Sequence, residues 1–136
     1  MATDSPKNYF YALGRRKSAT ARIRLSNGKG KFTVNGKDVN EYLSDSKYLL
    51  HDLQKPFAAL EMEGNKFDIS VVVAGGGQHG QIEAIRLGIA KALVVMNEDL
   101  KSTLRRSELL GRDPREKERK KFGQPGARKQ RQFTKR

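Results

Sequence analysis

Ile69-Ser70-Val71-Val72-Val73-Ala74, followed by Gly75-Gly76-Gly77 and then by the run from Gln78 to Met96, decides how the rest of the chain is read. The first six residues are β-branched or small and uncharged, the pattern of a short buried strand. Three glycines end it, because the backbone there must turn sharply or let another group come close. Between Gln78 and Met96 the apolar residues Ile82, Ile85, Ile89, Leu93 and Met96 recur at spacings of three and four. That spacing places them on one helical face. A strand, a glycine loop and a helix in this order leave the first helical N–H groups unpaired, with the positive end of the dipole beside the loop. Such a place attracts anions, phosphate above all.

Toward the N-terminus, Tyr9–Leu13 reads as a first strand ending at Gly14, and Arg15-Arg16-Lys17 as a basic turn. Thr20–Leu25 alternates apolar and polar positions, so it is a half-buried strand with Arg22 and Arg24 on its polar face. Asn27-Gly28 with Gly30 predicts a hairpin turn, and Lys31–Val34 the returning strand, stopped by Asn35-Gly36. Together these predict a β-meander whose exposed face carries Arg22, Arg24, Lys29 and Lys31. A short helix is expected over Asp38–Leu43, and another over Ser46–Leu53, limited by Pro56. Phe57, Leu60 and Met62 read as a transitional strand or a cover over the core. Gly64-Asn65 turns the chain into the central strand from Phe67. Beyond the long helix, Glu98–Leu104 is a last short helix.

The chain has 136 residues, enough for one domain with a single modest core. It has no cysteine, which removes disulfides and thiolate metal or redox sites and suits a reducing cytoplasm. Its apolar runs fall far short of the ~20 residues that span a bilayer. The opening Met-Ala-Thr-Asp-Ser-Pro lacks the basic-then-apolar order of a signal peptide. The net charge is +13, from 28 basic and 15 acidic residues, and it is segregated. Residues 7–31 hold eight basic residues and no acid, residues 32–100 six basic and ten acidic, residues 101–136 fourteen basic and four acidic. Two basic arms on a mildly acidic middle point to a folded core with polyanion-facing ends. The bland alternative, a charged surface that only aids solubility, fits a mixed distribution better than this clustered one.

The organisation is therefore an N-terminal extension over residues 1–8, a globular core over 9–106 and a basic tail over 107–136. Residues 112–121 contain no large apolar side chain, and from Arg119 to Arg136 there are eight cations and no acid. Such a segment cannot bury enough surface to offset its conformational entropy, so alone it is expected to be disordered. Extended, its last 18 residues reach roughly 60 Å. Its cations suit phosphates, and Phe133 suits stacking on a base. With no DNA-reading helix or zinc finger in the pattern, structured RNA is the expected target.

Catalysis has little to stand on. Gly75-x-Gly77-x-x-Gly80 has the dinucleotide-binding spacing, but no second strand with an acidic ribose ligand follows, and no Gly-Lys-Ser/Thr makes a P-loop. The glycines serve either a tight turn with close helix packing or the approach of a nucleic-acid phosphate, and the second is the stronger expectation. His51 reads as packed or surface, while His79 in the loop can touch a phosphate or a base. Two histidines without cysteine make neither a metal site nor a triad at this spacing. No cofactor or metal is expected.

Three separated motifs carry a resemblance. Gly75-Gly76-Gly77-x-x-Gly80-Gln81-x-x-Ala84-x-x-x-Gly88-x-Ala90-Lys91-Ala92-Leu93 is the first, and Gly14-Arg15-Arg16-Lys17-Ser18-x-x-Ala21-Arg22 the second. The third is Glu118-Arg119-Lys120-Lys121-x-Gly123 with Ala127-Arg128 and Gln132-Phe133-Thr134-Lys135-Arg136. From about Tyr11 to the last residue the chain resembles the family of the ninth protein of the small ribosomal subunit, in its bacterial form. The resemblance implies an α+β fold, a two-layer α/β sandwich with a four-stranded sheet like the second domain of ribosomal protein five, including a left-handed strand–helix–strand crossover. It implies no enzyme but a structural constituent of the subunit head, in the cytoplasm. Its partners would be 16S rRNA, peptidyl-site tRNA and neighbouring head proteins such as proteins seven, ten and fourteen.

Carried onto this chain, Arg15, Arg16, Lys17, Arg22, Arg24, Gly75, Gly76, Gly77, His79 and Gln81 would meet rRNA from the core. Arg119, Lys120, Lys121, Arg128, Lys129 and Arg131 would meet it from the tail. Phe133, Thr134, Lys135 and Arg136 would reach the anticodon stem-loop of the tRNA, Thr134 standing where the family has serine and keeping the hydroxyl. Gln124-Pro125-Gly126 and Arg131 depart from the family's usual basic run and proline, which bears on the path of the tail. A free-standing RNA-binding or chaperone-like protein is the competing reading, and retention on small subunits through a high-salt wash separates the two.

Overall fold

Alternating side chains build one sheet, and helices cover its inner face, the longest lying across the first two strands. The computed structural model describes residues 9–44, 46–112, 114–115 and 118–129. Strands β1 (Phe10–Arg16), β2 (Ala19–Asn27), β3 (Phe32–Val34), β4 (Lys37–Asp38) and β5 (Phe67–Ala74) lie in the order β1-β2-β5-β3-β4. Helices α1 (Val39–Tyr42) and α2 (Lys47–Ala59) lie between β4 and β5. Then come α3 (Gln78–Met96) and α4 (Lys101–Arg106), joined by a 3-10 turn over Glu98–Leu100. The fold is mixed α+β, with β4, a two-residue edge, as a fifth strand beside the four expected.

The expected meander does not form. β2 pairs antiparallel with both β1 and β5, so β5 occupies the place foreseen for β3, and β3 runs parallel to β5 on its far side. The cause is local. The Asp68 carboxylate accepts the backbone N–H groups of Lys29 and Lys31, each at 3.0 Å, and the Gly28 N–H donates to the Lys66 carbonyl at 2.9 Å. These bonds fasten the 28–31 loop to the start of β5 instead of closing a hairpin on β2. Where β3 stops, the Asn35 side chain continues the ladder: its Nδ2 donates to the Val73 carbonyl (3.1 Å) and its Oδ1 accepts the Val73 N–H (2.9 Å).

β5 is buried on one face only, a second correction. Phe67, Ile69, Val71 and Val73 point inward, whereas Ser70, Val72 and Ala74 are exposed. β1 is longer than expected and runs through Gly14 to Arg16, leaving Lys17-Ser18 as the turn. Gly14 belongs inside the strand because α3 crosses there. A Cβ at Gly14 would stand 1.9 Å from the Ala84 carbonyl oxygen, and one at Gly88 would stand 2.4 Å from Ile23 Cγ1. The helix can lie close to the sheet only because both crossing residues lack a side chain.

α2 runs past Pro56 to Ala59, so Phe57 lies inside a helix and starts no strand; with Leu60 and Met62 it covers the core, the other of the two expectations for these residues. Leu49, Leu53, Pro56 and Phe57 share its buried face, and that burial outweighs the backbone bond that proline removes. The helix closes with Met62 N–H on the Phe57 carbonyl (2.9 Å) and Glu61 N–H on the Ala58 carbonyl (3.2 Å), with Glu61 left-handed at φ 54°. Phe57 stacks on Phe67 of β5 at 5.8 Å. Asp52 of α2 pairs with Lys55 (2.7 Å) and with Arg86 of α3 (3.6 Å). The core is completed by Ile23, Leu25, Ile85, Ile89, Leu93 and Leu104, all buried, each contributing about 1.5–3 kcal/mol of apolar burial.

Candidate nucleic-acid interface

Two surfaces of the core gather the exposed cations among those that the motifs single out. One is the end of the sheet where the β1–β2 turn meets the glycine loop. Gly75 (φ 78°) and Gly76 (φ 68°) are left-handed, and a Cβ at Gly75 would lie 2.4 Å from the Ser18 carbonyl oxygen. One at Gly76 would lie 3.0 Å from the Ala19 Cβ. Turn geometry and close packing therefore account for these two glycines. Gly77 differs: it is extended, caps α3, and nothing lies within 4 Å of where its Cβ would be. Its carbonyl accepts the Gln81 N–H at 2.9 Å, and Gln78 and His79, which open the helix, are exposed.

The side chains around this loop divide into committed and available. Gln81 is committed, donating from Nε2 to the Gly75 carbonyl (3.0 Å) and accepting the Tyr42 hydroxyl on Oε1 (2.6 Å). It braces the loop. His79 is exposed and meets Tyr48 edge to face at 6.4 Å. Arg15 and Lys17 are exposed.

Arg16 corrects the expected basic turn. It points inward, is 8% exposed, pairs with Glu83 of α3, and donates from Nη1 to the Arg115 carbonyl at 2.5 Å. Its alternation with Gly14, also inward, is the reason.

Through that bond the chain beyond α4 returns to the same end of the sheet. Leu109 N–H donates to the Leu104 carbonyl at 3.0 Å, and Leu109 and Leu110 pack against the core. Further on, Glu118 takes Lys121 (3.1 Å) and Arg128 Nε (2.8 Å), and the Arg128 bond, then the Lys121 bond, holds its carboxyl below the usual range. Arg119, Lys120 and Lys129 are exposed. Arg131, Phe133, Thr134, Lys135 and Arg136 lie outside the described residues, as does the extension over residues 1–8.

The other surface is the outward face of β1, β2 and β5. Register puts Tyr11, Arg24 and Ser70 in one row and Leu13, Arg22 and Val72 in the next, with Arg15 beyond them on β1. Arg22 and Arg24 are exposed on this face, as their alternation foretells. Sequence reasoning passed over Tyr9 and Tyr11, although the same parity places them outward. Each is nearly half exposed, and the Arg24 guanidinium stands 5.2 Å over the Tyr9 ring. Two shallow hollows lie here. One of about 320 Å³ is bordered by Tyr9, Lys31, Thr33 and Asp68, and one of about 230 Å³ by Tyr11, Arg22 and Val72; Arg24 and Ser70 border both. The Lys31 N–H above all, with those of Lys29 and Gly30, holds the Asp68 carboxyl below its ordinary range against the opposing effect of desolvation. Lys101, Arg105 and Arg106 form a further exposed basic patch on α4 that the motifs did not single out.

Among the described residues no group of three or more His, Cys, Asp or Glu side chains could hold a metal, and no helix is long and apolar enough to cross a membrane. The arrangement offers guanidinium and ammonium groups, open helical N–H groups and aromatic faces, which is the chemistry of phosphate and base contact. The family model described as ribosomal protein S9/S16 matches residues 14–136. Small ribosomal subunit protein uS9 of Mycoplasma genitalium is 50% identical over 132 residues, covering 96% of this chain and 98% of the relative. The protein of the same name from Maridesulfovibrio salexigens is 49% identical over 130 residues, with 96% and 98% covered. That of Christiangramia forsetii is 48% identical over 127 residues, with 93% and 98% covered.

Proposed function

The chain belongs to the ribosomal protein S9/S16 family, and from that premise we propose that its core docks on 16S rRNA in the subunit head while its tail reaches peptidyl-site tRNA. As a family member it is a structural constituent of the small ribosomal subunit and not an enzyme, and it works in the cytoplasm on that particle. The observation that carries the rRNA reading is that exposed Arg15 and Lys17 stand beside the start of α3 at one end of the sheet, with exposed Arg22 and Arg24 on the adjoining outward face. Most such contacts go to phosphates and position the protein without reading sequence. Gly77 and His79 supply the loop's own contact, while Gln81, Gly75 and Gly76 hold its shape.

Arg16 fixes where the tail leaves the core, through its bond to the Arg115 carbonyl. From there Arg119, Lys120, Lys121, Arg128, Lys129 and Arg131 track rRNA phosphates, and Phe133, Thr134, Lys135 and Arg136 meet the tRNA stem-loop. Each charge-assisted bond at the tip contributes about 1.5–3 kcal/mol before the ordering of the segment is counted. Neighbouring head proteins, seven, ten and fourteen among them, are the protein partners. The deciding experiment is tRNA binding at the peptidyl site of small subunits that carry either the full chain or one ending at Arg131. Assembly is expected to survive and tRNA to dissociate faster from the truncated particle. Equal retention removes the tail tip from the tRNA site.

A further inference from the structure

We propose that the outward face of β1, β2 and β5 is a stacking platform for unpaired RNA nucleotides, with Tyr9 and Tyr11 as aromatic surfaces and Arg22 and Arg24 as phosphate partners. The proposal deepens the reading of the core as an rRNA-binding unit and rests on it.

Charge complementarity selects a polyanion. Arg22, Arg24 and Lys31 border the two hollows, and among the described residues that line them Asp68 is the sole acid. That carboxylate stays ionised as it accepts two backbone N–H groups of the 28–31 loop, but Arg24 and Lys31 line the same hollow and Arg22 and Arg24 the other, so both hollows are net cationic. A purely electrostatic surface would need only the cations. Here two tyrosine rings and the 58% exposed Val72 lie among them, an expense of apolar area that phosphate binding alone does not explain.

The geometry separates an unpaired strand from a duplex. An A-form helix keeps its base faces inside the stack and offers proteins phosphates and 2′-hydroxyls, so a duplex gives the tyrosines nothing to stack on. Tyr9 and Tyr11 are two positions apart on the chain, about 7 Å in an extended strand. That is roughly twice the 3.4 Å spacing of a continuous base stack, so bases on the two rings are splayed from each other. Arg24 over the Tyr9 ring adds a second planar surface already in place, and the Ser70 and Thr33 hydroxyls border the same hollow, able to bond a base edge. The hollow's 320 Å³ falls at the lower end of the ~300–1,000 Å³ of small-ligand sites.

The test is fluorescence anisotropy of the full chain with an end-labelled oligouridylate and with a blunt-ended RNA duplex of equal phosphate number. It is run at raised salt, where the phosphate contacts of the tail weaken and stacking persists. The Y9A/Y11A variant is expected to bind the single strand about 10-fold or more weakly and the duplex within about two-fold of the parent. Y9F/Y11F keeps the rings and should bind both probes as the parent does. Both tyrosines are solvent-facing, and a thermal melt confirms that each variant folds. Equal loss on both probes marks a duplex or general electrostatic surface and overturns the proposal, as does an unchanged affinity for oligouridylate. A parent chain that binds neither probe would instead bring down the RNA-binding reading beneath it.

Discussion

Asp68 shows how one side chain can decide a topology. Its carboxylate gathers the N–H groups of Lys29 and Lys31, and the loop they belong to then delivers β3 to the far side of β5. Those donors stabilise the ionised form, so the native pKa lies below the unfolded one. The contribution to stability is then present above the unfolded pKa and is lost as pH falls through the native value. An NMR titration should place the Asp68 carboxyl below the 3.8 of an unperturbed aspartate, with the Lys29 and Lys31 amide shifts moving at the same midpoint. A midpoint at or above that value, or amides that do not follow, would show that the bonds do not hold the loop. Nothing in the local pattern Asn27-Gly28-Lys29-Gly30 reveals this, because the acceptor lies about 40 residues away in sequence. Arg16 was legible by contrast: it shares parity with Phe10, Ala12 and Gly14, and reading Arg15-Arg16-Lys17 as one basic cluster ignored that alternation.

At the scale of elements, the contact between β1 and α3 is set by Gly14 and Gly88. A methyl at Gly14 meets backbone, the Ala84 carbonyl oxygen at 1.9 Å and the Gly88 nitrogen at 2.7 Å, and backbone cannot rotate away as a side chain can. Gly14→Ala should therefore lower stability by about 1–3 kcal/mol or more, and Gly111→Ala, with nothing within 4 Å, far less. Urea unfolding of both variants checks this, and similar losses would mean that the helix can back away from the sheet. The strand–glycine–helix unit was readable in the sequence because its signals are local: β-branched run, three glycines, apolar residues at three and four. α3 over Gln78–Met96 matches the expected span. α2 was half readable, since the Leu49, Leu53, Pro56, Phe57 spacing already carries its buried face past the proline. The order of the strands was not, because pairing between distant segments leaves no period in either one.

Across the whole molecule, segregated charge and exposed aromatic surface meet on a sheet that is covered on one face only. The cationic face was legible, as Arg22 and Arg24 alternate with buried Ala21, Ile23 and Leu25. Its tyrosines were passed over because an aromatic run reads first as core. With a net charge of +13, almost any loss of positive charge weakens attraction to RNA at long range. A useful variant pair must therefore change charge equally and differ only in place. Arg22→Glu reverses a cation on the outward face, and Lys66→Glu reverses an exposed one at the end of the 3-10 turn over Gly64–Lys66 that precedes β5. Both remove the same long-range attraction, so the difference between them isolates contact at the strand face. Filter binding to 16S rRNA is expected to show a much larger loss for Arg22→Glu, with a shallower dependence on salt as its phosphate contact disappears. Equal losses and equal salt slopes would take the strand face out of the interface and leave the β1–β2 turn and the start of α3 as the docking surface of the core.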